Sequence, residues 1–203
     1  NVIENNINTQ ATGSLVVNDP DAGENKVIAQ SNITGTFGTF SINENGDWVY
    51  NINNSLSATQ SLGAGIIATD NFTVNSADMS DNQTVSITVT GTNDITIISD
   101  GLTGTLVEDD VVTQASNVLT ITDADSGENL VIAQNNILGN YGSFSIVANG
   151  TWTYDIDNTK TQSLGVGDFA TDRFDVNSVD GYTIETVVIT INGANEAPVV
   201  GTV

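Results

Sequence analysis

Gln83-Thr84-Val85-Ser86-Ile87-Thr88-Val89-Thr90 sets Val85, Ile87 and Val89 on one face and hydroxyl side chains on the other. Strict alternation of this kind is the period of a half-buried β-strand, and β-branched residues suit a pleated surface. Thr186 to Ile191 repeats the pattern, and the pairs Phe72, Val74 and Phe174, Val176 alternate likewise. Asn45-Gly46 and Asn149-Gly150 each lie between alternating runs, which predicts a two-residue hairpin turn. Beyond the first of these turns, Trp48, Tyr50 and Ile52 point one way, toward a core, and Asp47, Val49 and Asn51 the other. No segment carries a capped 3.6-residue period, so the chain reads as all-β.

The strands belong to a repeat. Asp19-Pro20-Asp21-Ala22-Gly23-Glu24-Asn25 returns as Asp123-Ala124-Asp125-Ser126-Gly127-Glu128-Asn129, a shift of 104 positions (123 − 19). From 19–54 against 123–158 there are 22 identities in 36 positions. Gln60-Ser61-Leu62-Gly63 then matches Gln162-Ser163-Leu164-Gly165 at a shift of 102 (162 − 60), so the second copy is two residues shorter in a loop. Gly91-Thr92-Asn93-Asp94 matches Gly193-Ala194-Asn195-Glu196. Repeat 1 is read as residues 1–94 and repeat 2 as 95–196, with 197–203 expected to begin a third copy of a longer array. In repeat 2 the predicted strands are Ile97–Leu106, Asn117–Thr122, Leu130–Gln134, Gly142–Val147, Thr151–Asp155, Thr171–Ser178 and Thr183–Asn192. Seven short strands per repeat suit an Ig-like or cadherin-like β-sandwich, with a barrel as the alternative. The fold class is therefore two tandem β-sandwich domains joined by a short linker.

Composition narrows function. The chain has 203 residues, 3 Lys plus Arg, 25 Asp plus Glu, no Cys and no His, for a net charge of −22. No disulfide and no cysteine metal site can form, and no Ser-His-Asp or Cys-His relay. Nucleic-acid binding draws on Lys and Arg, and only Lys26, Lys160 and Arg173 exist. No apolar run approaches the ~20 residues of a membrane span, so direct membrane insertion is not expected. Self-repulsion at this charge is costly, and bound cations would relieve it.

The acidic loops are placed to bind them. With strands alternating up and down, the Asp123–Glu128 loop, the turn at Asp180 and the linker Thr92-Asn93-Asp94 are expected at one end of repeat 2. Glu4 and Asp70 are expected at the facing end of repeat 1. Ca²⁺ takes 6–8 oxygens from carboxylates, amides and backbone carbonyls, whereas Mg²⁺ prefers water-rich octahedra, and a transition metal would want His or Cys. Asn93, Asp94, Asp123 and Asp125 are the leading candidate ligands, followed by Asp180, Glu4, Glu128 and Asp70. Their repeat counterparts Asp19, Asp21, Asp78, Glu108, Asn195 and Glu196 complete the set. Repeat 1 has Asn5-Asn6 where repeat 2 has Asp109-Asp110. Asn ligates without adding charge, so the two ends are expected to differ in affinity.

Glu108-Asp109-Asp110, Leu119 to Asn129, Tyr141-Gly142-Ser143-Phe144-Ser145-Ile146, Asn149-Gly150-Thr151-Trp152-Thr153-Tyr154 and Thr92-Asn93-Asp94 together resemble VCBS-type repeats of large bacterial RTX adhesins. The resemblance implies calcium at domain junctions, as in cadherins, with export by type I secretion and outer-membrane anchoring at the bacterial cell surface. It also implies a part in biofilm formation. The expected role is a calcium-stiffened extender whose partners are neighbouring repeats, ligand binding falling to other domains. Two other classes compete. Trp48, Trp152, Tyr50, Tyr154 and Tyr141 would stack on sugars in a carbohydrate- or protein-binding module if they faced solvent. A glycosidase would need two carboxylates across a cleft, and matching loop positions in two small sandwiches offer none, so no enzyme activity is expected.

Overall fold

The computed structural model describes residues 1–198 and 200 apart from Ala22. Of the stretch expected to begin a third copy, Val199 and Gly201–Val203 lie outside the described residues. The chain divides into two compact units: Asn1–Asp94 with Ala124–Ser126, and Ile95–Asp123 with Gly127–Val203.

The described residues of unit 1 form seven strands: β1 (Val2–Ile3), β2 (Gln10–Ser14), β3 (Gln30–Thr34), β4 (Gly38–Ile42), β5 (Asp47–Ile52), β6 (Ile67–Asn75) and β7 (Asn82–Thr90). They form a four-stranded sheet ordered β2-β5-β4-β3 and a three-stranded sheet ordered β1-β7-β6. The alternating stretch that decided the reading is β7, which pairs antiparallel with β6 and parallel with β1. The inward faces meet in one core. Phe40 of one sheet stacks on Phe72 of the other at 4.6 Å between ring centroids, among buried Ile42, Tyr50, Val85 and Val89. A four-residue helix, α1 (Ser57–Gln60), bridges β5 and β6.

Unit 2 repeats the plan with β8 (Ile97–Ser99), β9 (Thr103–Val107), β10 (Gln114–Val118), β11 (Thr120–Thr122), β12 (Gln134–Leu138), β13 (Gly142–Ile146), β14 (Thr151–Ile156), β15 (Phe169–Asn177) and β16 (Ile184–Asn192). Its main sheets are β10-β14-β13-β12 and β15-β16-β9, with β8 and β11 as a separate pair. Phe144 stacks on Phe174 at 4.7 Å, as in unit 1. Two open sheets around one core make each unit a sandwich rather than a barrel.

Four local readings are corrected. The first predicted strand is not continuous: β8 pairs antiparallel with β11, then β9 runs parallel to β16. The change of sheet occurs where Asp100 (φ 52°) and Gly101 (φ 62°) are left-handed. A Cβ on Gly101 would sit 2.1 Å from the Val118 carbonyl oxygen. The second strand likewise splits, into β10 and β11. The third starts later than expected: Val131 makes a lone bridge to Ser178, and the strand proper is Gln134–Leu138. It is a bulged edge strand with exposed residues on both faces, so alternation could not reveal it. Finally, Asn45-Gly46 is no two-residue turn. The Gly46 N–H donates to the Asn43 carbonyl at 3.1 Å, and within this turn only Gly46 has positive φ, at 92°. That is a type I turn closed by a glycine bulge, whereas the two-residue form needs positive φ at both central residues.

Candidate metal centres

Three groups of carboxylates stand out, the second of them with a counterpart in unit 1. The first lies in unit 1. Pairing with β7 carries the chain past β1 so that the Glu4 N–H donates to the Thr90 carbonyl at 2.9 Å, which turns the Glu4 side chain inward, 0% exposed. Its Oε1 accepts from Gln60 Nε2 at 2.7 Å and its Oε2 from the Thr92 N–H at 3.1 Å. The Asp94 N–H donates to Asp125 Oδ2 at 2.8 Å. Asp94 Oδ1 accepts from Asn5 Nδ2 at 3.3 Å, and its Oδ2 is buried with no hydrogen-bond partner. Burial pushes the Glu4 carboxyl above its usual range, the Thr92 N–H opposes this, and the charges of Asp94 and Asp125 add to the rise.

The second group is in unit 2. Oxygens of Asp123, Glu128 and Asp180, all half-buried, lie within 4.8 Å of one another. Thr96 orients two of them, its N–H donating to Asp180 Oδ2 at 3.1 Å and its hydroxyl to Asp123 Oδ2 at 2.5 Å. Asp180 Oδ1 also accepts from the Ser178 hydroxyl and from the Tyr182 N–H. Desolvation raises the Asp180 carboxyl, but the donors from Ser178, Tyr182 and Thr96 outweigh it and hold the group at about 2. In unit 1 the counterpart loop brings Asp19, Asp21 and Glu24 within the same 4.8 Å limit. Asp78 does not join them: exposed, it accepts from the Ser76 hydroxyl and the Ser80 N–H.

The third group closes unit 2. Glu108, 1% exposed, accepts the Ala194 N–H at 3.0 Å through Oε1, and its Oε2 is buried without a partner. Burial raises the neighbouring Glu196 carboxyl, and Asp109 and Glu108 raise it further. Asn93 and Asn195 each turn the amide nitrogen to the backbone carbonyl of the following acidic residue.

Asp70 goes elsewhere. It faces the core between Ala68 and Phe72, and its oxygens accept the Thr36 N–H (2.8 Å), the Phe37 N–H (3.0 Å) and the Tyr50 hydroxyl (2.7 Å). The carboxylate is spent on the fold and does not meet Glu4. Asp172 repeats the arrangement with Asn140, Tyr141 and Tyr154. Sequence reasoning missed this pair, although the signal was available: Ala170, Asp172, Phe174 and Val176 fall on one face of an alternating run. Gln60 and Gln162 were also missed as members of the acidic ends.

The donors fit a hard divalent cation. They are all oxygens, two buried carboxylate oxygens lack any proton donor, and among the described residues the only ion pairs are Lys26–Glu44 and Lys160–Asp157, both on the surface. Glu4, Asp94 and Asp125 would hold one ion, Asp123, Glu128 and Asp180 a second, and Glu108, Asp109 and Glu196 a third. Such an ion neutralises carboxylates that otherwise repel. Of the candidate sugar platform, Tyr50, Trp152 and Tyr154 are 0% exposed, Trp152 donates its indole N–H to the Gly101 carbonyl, and Trp48 and Tyr141 are half-buried against the two cores.

A pH effect follows. Glu4 has its folded pKa raised, so the folded state binds its proton more tightly than the unfolded state, and stability falls as pH rises from about 4.5 through the folded value. In chelator, the chain is expected to melt higher at pH 5 than at pH 7. With calcium the order reverses, because protons compete with the ion for the same oxygens. Differential scanning calorimetry in the four conditions checks this.

Residues 93–193 match the family model for the bacterial cadherin-like domain. No curated protein is similar to this chain. Among solved structures, the chain is similar to the protocadherin gammaB7 EC3-6 cis-dimer structure, at 15% identity and a TM-score of 0.51 over 95% of this chain and 45% of that one. Mouse clustered PcdhgC3 EC1-3 is similar at 14% identity and a TM-score of 0.45, over 95% of this chain and 64% of that one. The chain thus spans less than half of the first of these proteins. At such identities the likeness concerns fold, which is the cadherin-like β-sandwich. Cadherin-like domains are typically extracellular adhesion or spacer modules without catalysis, and they generally bind Ca²⁺. Among the described residues no helix is long and apolar enough to cross a membrane.

Proposed function

We propose that the chain is a pair of calcium-stiffened extender repeats from a large bacterial surface adhesin. In this reading the protein is exported and anchored at the outer membrane, and the repeats hold a terminal adhesive domain away from the cell for attachment and biofilm formation. The observation that carries the reading is the use made of one short stretch of chain. Asp94 belongs to the first acidic group, and Thr96, two residues on, orients the second. The loop at 123–128 is divided in the same way, Asp125 going to the first group and Asp123 and Glu128 to the second. Ions at both groups would fix the linker and the loop at once.

Without cations the carboxylates repel and the linker swings. Extracellular calcium modules bind with dissociation constants around 10⁻⁴–10⁻³ M. On that scale the repeats are loose at cytosolic calcium and firm outside the cell. Small-angle scattering of the two-repeat chain tests this. Calcium is expected to raise the maximum dimension and narrow the spread of conformations, and chelator to reverse both. Curves that superimpose in calcium and chelator defeat the proposal.

A further inference from the structure

Glu4 and Glu108 occupy the same position in the two repeats, yet their carboxylates are satisfied differently. In unit 1, Gln60 at the end of α1 donates its amide to Glu4 Oε1 at 2.7 Å and to Asn5 Oδ1 at 3.1 Å. Both Glu4 oxygens are then hydrogen-bonded. In unit 2, Asn5 is replaced by Asp109, and the matching Gln162 turns to it, at 3.1 and 3.2 Å from the two oxygens. Glu108 Oε2 is left buried and bare. Where Asn5 gives way to Asp109, the glutamine side-chain donor pairs with the new carboxylate instead of the buried one.

We infer that the glutamine amide is a built-in stand-in for the cation at Glu4, and that repeat 2 has lost this stand-in at Glu108, so that the Glu108 carboxylate demands a divalent ion where the Glu4 carboxylate tolerates its absence. The inference rests on the calcium reading and deepens it. A buried carboxylate is costly unless paired or hydrogen-bonded. An N–H donor is the weaker of two ways to meet that need, and it must leave when an ion arrives. Gln60 therefore lowers the calcium affinity of its own site while protecting the ion-free unit. Asp109 acts in the opposite sense in unit 2, by adding a ligand charge and by holding Gln162 off Glu108. The two repeats are then set to respond at different calcium levels although their folds are the same.

The test compares the whole wild-type chain with Gln60→Leu and Asp109→Asn. Hydrogen exchange is read separately on peptides from β2 and β5 and from β10 and β14, in EGTA and in saturating calcium, alongside a calorimetric calcium titration. Gln60→Leu is expected to lower unit 1 protection in EGTA by about tenfold, the effect of stranding one buried acceptor, and to leave protection in calcium nearly unchanged. Asp109→Asn is expected to raise unit 2 protection in EGTA and to weaken the tightest calcium binding step by roughly tenfold through loss of a ligand charge. Equal losses for Gln60→Leu in both conditions, or no effect of Asp109→Asn on the titration, overturn the inference while the calcium reading stands. A wild-type chain whose exchange ignores calcium overturns both.

Discussion

Replacing chelator by about 10 mM calcium, roughly a hundredfold excess over a dissociation constant of about 10⁻⁴ M, is expected to raise the melting temperature of this chain by about 10 °C or more. Each acidic group that binds an ion in the folded state and not in the unfolded one gains about 2.7 kcal/mol at a hundredfold excess over its dissociation constant. For a repeat of roughly 100 residues, 1 kcal/mol moves the midpoint by about 4–8 °C. One saturated site per unit thus gives roughly 10–20 °C. The alternative source of such a rise is screening of the net charge of −22. Sodium chloride at matched ionic strength separates the two, because screening depends on ionic strength alone, whereas binding depends on the ion. Magnesium gives a second control, since it demands an octahedron rich in water. A rise reproduced in full by sodium chloride would reduce these groups to solvated surface. Asp123→Asn combined with Asp180→Asn is expected to remove the share owed to the second group and to leave that of Glu4, Asp94 and Asp125.

Much of this arrangement was legible before any coordinates. The period-two runs gave β6, β7, β15 and β16 with their inward faces, and an up-and-down strand order put Asp123, Glu128 and Asp180 at one end of repeat 2. Sequence reasoning lost ground where alternation was broken or where a polar residue faced inward. Edge strand β12 bulges at Asn135 and Asn136, so its pattern carries no face. Strand pairing across the Asp100–Gly101 turn is a matter of which sheet the chain reaches, and that is decided by tertiary packing rather than local pattern. Asp70 is grouped with the candidate ligands because the strand order sets it at the start of a strand, at the end of repeat 1 facing repeat 2. Its register in β6, opposite Ile87 of β7, places it in the core instead. The roles of Gln60 and Gln162 were hidden for a different reason: an amide's partner depends on whether residue 5 or 109 is Asn or Asp, and spacing does not encode that choice.

Asp172→Ala is expected to be the most damaging single substitution in unit 2, at about 3–5 kcal/mol. The carboxylate accepts from the Asn140 N–H and the Tyr141 N–H, both at 2.9 Å, and from the Tyr154 hydroxyl at 2.7 Å. It is 2% exposed and sits where the loop between β12 and β13 packs over β15. Truncation strands three donors and empties space beside Phe174, and a Cβ on Gly139 would already lie 2.3 Å from the Asp172 oxygen. Burial and the hydrogen bond to Asp172 push the Tyr154 hydroxyl far above its usual range, so it stays a donor at any working pH. The variants should therefore rank by the number of bonds lost. Tyr154→Phe removes one donor and leaves the carboxylate two backbone partners, at a cost near 1 kcal/mol. Asp172→Asn keeps the volume but turns an N–H₂ toward one of the donors, which places it between the other two. Urea unfolding in EGTA, where no ion contributes, reads these differences directly. Calcium should raise every variant by a similar increment, because Asp172 is not among the oxygens of any acidic group. An Asp172→Ala chain whose calcium response vanished while unit 2 stayed folded would mean that the buried aspartate serves the ion and not the loop.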